Sequence, residues 1–174
     1  HGQQYDHAMQ EKMLQQSIEL WEKLALLHGT PRFRFNASFA CLTMAELYYD
    51  TGRIQEAKEK GGEAIAQFSS LHQSEPEDSL YTFGLACAHA RVGAMLAQVL
   101  TTTDAEQYQR TGLALLATLD GEPADWTATP FFPFKDFSGA LAECRLNLVA
   151  AAVSAETLIL LNSALTDLND LSVQ

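Results

Sequence analysis

Three cysteines, Cys41, Cys87 and Cys144, have the widest chemical repertoire in this 174-residue chain. A thiolate can attack a substrate, hold a soft metal or pair with a second thiol. Their surroundings favour none of these. Each stands in an apolar run beside alanine, as Phe39-Ala40-Cys41, Leu85-Ala86-Cys87 and Leu141-Ala142-Glu143-Cys144. An odd count makes no disulfide framework, and buried cysteine behaves as a small hydrophobe, so all three are predicted to be buried, unpaired thiols. His28 and His72 each follow a terminal leucine, where an imidazole can meet the last carbonyls of a helix. His89 stands alone in an apolar run and reads as a hydrogen-bonded interior residue, while His1 and His7 lie near a terminus. No His, Cys and Asp cluster has metal-ligand spacing, and there is no glycine-rich phosphate loop, nucleophile elbow or two-histidine motif. Carboxylates fall on polar faces at i,i+4 spacing, as Glu56 with Lys60. The sequence therefore predicts no catalytic residue, no metal ligand and no cofactor.

The elements that would position these side chains are helices. Leu14, Ile18, Trp21 and Ala25 follow 4-3-4 spacing and mark one helix over roughly 5–28. Ile54, Ala57, Gly61, Ala64, Phe68 and Leu71 form a second stripe, within which Gly61-Gly62 reads as a site of close helix packing. A shorter one holds Ala105, Tyr108, Gly112, Leu115 and Leu119, with Thr103 and Glu106 as a capping box at its start. Phe137, Leu141, Cys144, Leu148, Ala151, Ala155 and Leu158 predict a long helix to about residue 168, with a break near Ser154 as the alternative. No run alternates apolar and polar residues as a half-buried strand does, so the predicted class is all-α.

Composition bounds the function. Apolar residues make up 47% of the chain, enough for a core, which excludes a disordered tail. The net charge of −11 excludes a general nucleic-acid binder, which needs surplus cations to displace phosphate counterions. Residues 1–60 carry 7 of the basic and 8 of the acidic residues, while residues 61–174 carry 4 and 14. The second part is therefore strongly acidic, and the expected role of that acidity is solubility. The richest apolar stretch, Leu146 to Leu161, is broken by Asn147, Ser154, Glu156 and Thr157, so no membrane insertion is expected. The chain begins at His1 and shows no signal peptide; it is read as an excised or processed piece, with a reducing cytoplasmic location expected.

A rhythm runs through the helices. Leu27-His28-Gly29-Thr30-Pro31, Leu71 to Pro76 and Leu119 to Pro123 each join a last apolar contact, a polar turn and a proline that cannot continue a helix. The prolines lie 45 and 47 residues apart, a period that marks stacked helical pairs. Within 41–64, Tyr48, Gly52, Ala57 and Ala64, with Ala45 at a small-residue crossing, resemble a tetratricopeptide repeat, and Gly52-Arg53-Ile54-Gln55-Glu56-Ala57 is the most specific segment. Cys41 and Gly61 replace two bulky residues of that pattern, and Ser69 stands where proline ends the second helix. The longer, degenerate units also resemble helical-repeat segments attached to some bacterial serine/threonine kinases and other signalling proteins.

The resemblance implies a single domain over 1–174: a right-handed superhelical stack of antiparallel helix pairs, about six helices in all. It also implies a non-enzymatic protein-interaction or scaffolding module whose first helices line a concave groove for a protein or peptide segment. The matching positions are Phe39, Leu42, Glu46 and Tyr49, continued by a 46-residue shift as Leu85, Ala88, Val92 and Met95. That lining lacks the Lys and Asn residues with which tetratricopeptide domains clamp a terminal carboxylate. A regulatory sensor filling the same groove with a small peptide or metabolite is the second reading, and a helical enzyme with an acidic site the third. Residues 120–136 stand apart, with Pro123, Pro130, Pro133, Trp126, Phe131, Phe132 and Phe134. This aromatic segment is either a lid folded onto the helices or a displayed recognition element, and at least two of its rings are predicted to pack.

Overall fold

The computed structural model describes residues 2–97, 102–119 and 137–150. Among them the chain is helix and turn, with no strand. The six helices are α1 (Gly2–His28), α2 (Pro31–Asp50), α3 (Ile54–Ser74), α4 (Ser79–Leu96), α5 (Thr102–Ala117) and α6 (Phe137–Ala150). The chain divides into two compact units, His1–Pro76 and Glu77–Gln174. Among the described residues no helix is long and apolar enough to cross a membrane. The aromatic segment 120–136 and the extension of the last helix to residue 168 lie outside the described residues.

In the first unit α2 packs against both α1 and α3. Gly29, at φ +65°, ends α1 by giving its N–H to the Ala25 carbonyl at 2.9 Å, a left-handed stop that glycine adopts without Cβ strain. Pro31 then opens α2, where a missing N–H costs nothing. Trp21 of α1 stacks on Phe33 of α2, with ring centroids 5.9 Å apart. The second turn, Thr51 to Arg53, relies on Gly52 at φ +77°, and the Gly52 and Arg53 amides return to the Tyr49 and Tyr48 carbonyls at 2.9 and 2.8 Å. Ala57, Ala64 and Gly61 are buried on α3, which lets α2 approach closely. Phe35, Phe39 and Phe68 meet edge to face, with centroids 4.8 to 5.5 Å apart, and are wholly buried.

Two local expectations change. Gly62 faces open space, so packing accounts for Gly61 alone. Lys60 pairs with Glu63 at 2.6 Å rather than with Glu56. Glu56 is held instead by Arg53, which also reaches Glu11 of α1 at 2.7 Å and lies 4.1 Å from the Tyr48 ring centroid. Tyr48 donates its hydroxyl proton to the same Glu11 at 3.1 Å. A single arginine thus ties α1 to the α2–α3 turn, and these contacts win over the weak i,i+4 preference.

In the second unit α4 packs against α5 and α6. Asp78 caps α4, its side chain accepting from the Leu80 amide at 2.9 Å. Nearly every residue of α4 from Leu80 to Leu96 is buried. Gly112 of α5 admits Leu148 of α6: a Cβ there would stand 2.6 Å from a Leu148 methyl. Thr103 lies inside α5, which already includes Thr102, so it does not occupy the flanking cap position.

Candidate functional site

The residues predicted to line a groove are largely core. Phe39 and Leu42 are fully buried in the first unit, and Leu85, Ala88, Val92 and Met95 are buried in the second. The physical reason is shared: α2 and α4 are central helices, flanked by α1 and α3 or by α5 and α6, so neighbours occupy the face that a groove would need. Glu46 and Tyr49 remain partly exposed. Glu46 borders a shallow depression of about 510 Å³ between α1 and α2, together with Met13, Leu14 and Leu47.

The three cysteines are buried and free. Their surroundings differ. Cys41 donates to the Glu63 carboxylate of α3 at 3.8 Å. Burial, then Glu63, pushes the Cys41 thiol up to about 12, which leaves little thiolate to act as a nucleophile. Cys87 of α4 is hydrogen-bonded to Cys144 of α6, and burial raises its pKa well above the usual thiol value. His89 also departs from expectation. Its Nδ1 is buried without a hydrogen-bond partner, its ring lies 5.8 Å from that of Tyr108, and burial lowers its pKa. Among the described residues no group of three His, Cys, Asp or Glu side chains converges to hold a metal ion.

A second concavity has a different composition. It encloses about 360 Å³ among the later part of α1, the first part of α2 and the last part of α3. Ala25, Ala37, Ser38 and Leu71 are its buried walls. Leu26 stands at its edge, 84% exposed, beside the exposed charges of Glu22 and Arg34. Ser38 spends its hydroxyl proton on the Arg34 carbonyl at 2.8 Å. Gln67 also lines the cleft, and although its Nε2 donates to Glu63 at 3.3 Å, its Oε1 is buried with no partner. A buried acceptor left unpaired costs about 1–3 kcal/mol, which a bound N–H or O–H donor would recover.

The arrangement suits binding rather than chemistry: an apolar hollow for a side chain, an unsatisfied acceptor, and one charge of each sign beside it. Sequence reasoning missed Glu22, Leu26, Arg34, Gln67 and Ser70. Leu26 and its neighbour Leu27 did carry a signal, since both fall off the Leu14, Ile18, Trp21 and Ala25 stripe. Compared with known protein families, curated proteins and solved structures, the chain gives no match.

Proposed function

We propose that this chain is a non-enzymatic interaction module, and that the cleft of its first unit takes a short segment of a protein partner. The observation that carries this reading is the cleft itself, with buried alanine and leucine walls, the unpaired Gln67 Oε1 and the exposed Arg34. An apolar anchor on the partner fills the hollow, a main-chain or side-chain donor meets Gln67, and a neighbouring carboxylate meets Arg34. The residues of the depression along Glu46 are a poorer anchor site, because it is lined by charged Glu46 and Asp50.

The same reading accommodates the helical-repeat resemblance. Two helices joined by a three-residue turn at Gly52, with α2 between its sequence neighbours, are consistent with a stack of helical pairs of tetratricopeptide type. In that arrangement the chain would serve as a scaffold, in bacterial signalling proteins among others. The partner-binding face, however, belongs to the cleft and not to Phe39 or Leu42.

The test is selection from a displayed library of random peptides against the full chain. Selected peptides are expected to carry an apolar residue near an acidic one. Leu26→Glu and Arg34→Glu should each weaken their binding by about 1–3 kcal/mol, the range of interface anchors. Glu59→Lys, on the exposed part of α3, should leave it unchanged. Binding that survives both cleft substitutions sinks the proposal.

A further inference from the structure

Helix α1 carries two apolar stripes, and the fold uses one. At 3.6 residues per turn, Leu14, Ile18, Trp21 and Ala25 share the side turned to α2. Met9, Met13, Gln16, Leu20, Lys23 and Leu27 share a strip on the opposite side, roughly 80° wide on the same geometry. Four of them are exposed large hydrophobics, at 46% for Met9, 60% for Met13, 55% for Leu20 and 77% for Leu27. Of the six exposed large hydrophobics among the described residues, five lie on α1, counting Leu26. Such concentration on one helix face marks a surface that is covered in the working protein.

The pattern also says what covers it, because the strip is complementary to itself. Gln16 lies at its centre and is exposed. Met13 stands three residues before it and Leu20 four after, while Lys12 stands four before and Glu19 three after, both exposed on the same edge. A two-fold axis through Gln16 therefore lays two α1 helices antiparallel, with each Met13 against the other copy's Leu20. The same axis brings each Lys12 to the other copy's Glu19, which gives two equivalent ion pairs. The Gln15 amide already steadies Glu19, donating to it at 3.0 Å. A closed two-fold contact of this kind needs charges matched by their opposites on an identical surface; Lys12 and Glu19 meet that condition, while Lys23 faces the other copy's Met9.

We propose that α1 pairs with α1 of a second copy through Met9, Met13, Leu20 and Leu27, in an antiparallel dimer fixed in register by Lys12 and Glu19. One helix pair buries less than a standard interface, so the dimer is weak and dissociates in the micromolar range. None of the residues of this dimer contact lines the cleft.

Sedimentation equilibrium of the full chain between roughly 1 and 300 µM tests it. The expected result is a reversible monomer–dimer equilibrium. Leu20→Glu should weaken it by about tenfold or more, with helix content by circular dichroism unchanged. Lys12→Glu and Glu19→Lys should each weaken it, and the double exchange should restore it, because both ion pairs are rebuilt with reversed sign. A chain that stays monomeric throughout the range overturns the proposal, as does a dimer indifferent to the charge exchange. A monomer whose melting temperature falls on Leu20→Glu also overturns it, since the strip is then covered by the chain's own residues.

Discussion

At the scale of single residues, burial sets the behaviour of His89, Cys41 and Cys87, while hydrogen bonding sets that of Arg53 and Glu56. His89 is pushed down by desolvation with its Nδ1 unpaired, so the folded chain resists protonation that the unfolded chain accepts near 6.5. Stability must then fall as pH drops below about 6.5, because the unfolded state binds the extra proton. The thiols act at the other end. Cys41 is raised from 9.0 to about 12, so its contribution is complete below pH 9.0 and is lost as pH climbs toward 12. Urea unfolding across pH 5 to 11 should trace both flanks, and His89→Leu should flatten the acid flank between about 6.5 and 5 alone. An acid flank that persists in that variant removes His89 from the account. The burial of the thiols was legible in the sequence, since alanine neighbours in apolar runs mark faces turned to the core. The carboxylate beside Cys41 and the Cys87–Cys144 contact were not, because both depend on which helix lies opposite.

At the scale of elements, the turns were the most legible parts. Gly29-Thr30-Pro31 and Gly52 announce helix ends by backbone chemistry alone, and both glycines adopt positive φ. Periodicity placed Ala57, Gly61, Ala64, Phe68 and Leu71 on the buried side of α3 for the same local reason. Partner choice was harder to read: Glu56 left Lys60 for Arg53, which is fixed by Glu11, 42 residues earlier. The elements differ in what they cost to disturb. Phe68→Ala removes a ring that closes on both Phe35 and Phe39, and should destabilise the first unit by about 3–5 kcal/mol. Gly52→Ala, with open space around it, meets only left-handed backbone strain and should cost about 1–2 kcal/mol. Chemical denaturation of both variants checks the order. A larger loss at Gly52 would mean that the turn, and not the aromatic cluster, holds α2 to α3.

At the scale of the whole molecule, the all-α class followed from apolar spacing, while the binding surface did not. Periodicity reveals that a face is apolar; it does not say whether water, a neighbouring helix or a partner covers it. Phe39, Leu42, Leu85, Val92 and Met95 were apolar because α2 and α4 are central, and the sequence could not distinguish a packed centre from a lined groove. The cleft of the first unit draws Ala25, Ala37 and Leu71 from three helices, a convergence with no counterpart in linear spacing. A partner segment is proposed to bind in this cleft. Hydrogen exchange of the full chain, with and without a peptide selected for binding, tests it most directly. Slowed exchange is expected in α1 near residues 22–26, in α2 near 34–38 and in α3 near 67–71, with α4 to α6 unchanged. Protection confined to α4 to α6, or to the end of α2 around Glu46 and Tyr49, would contradict it.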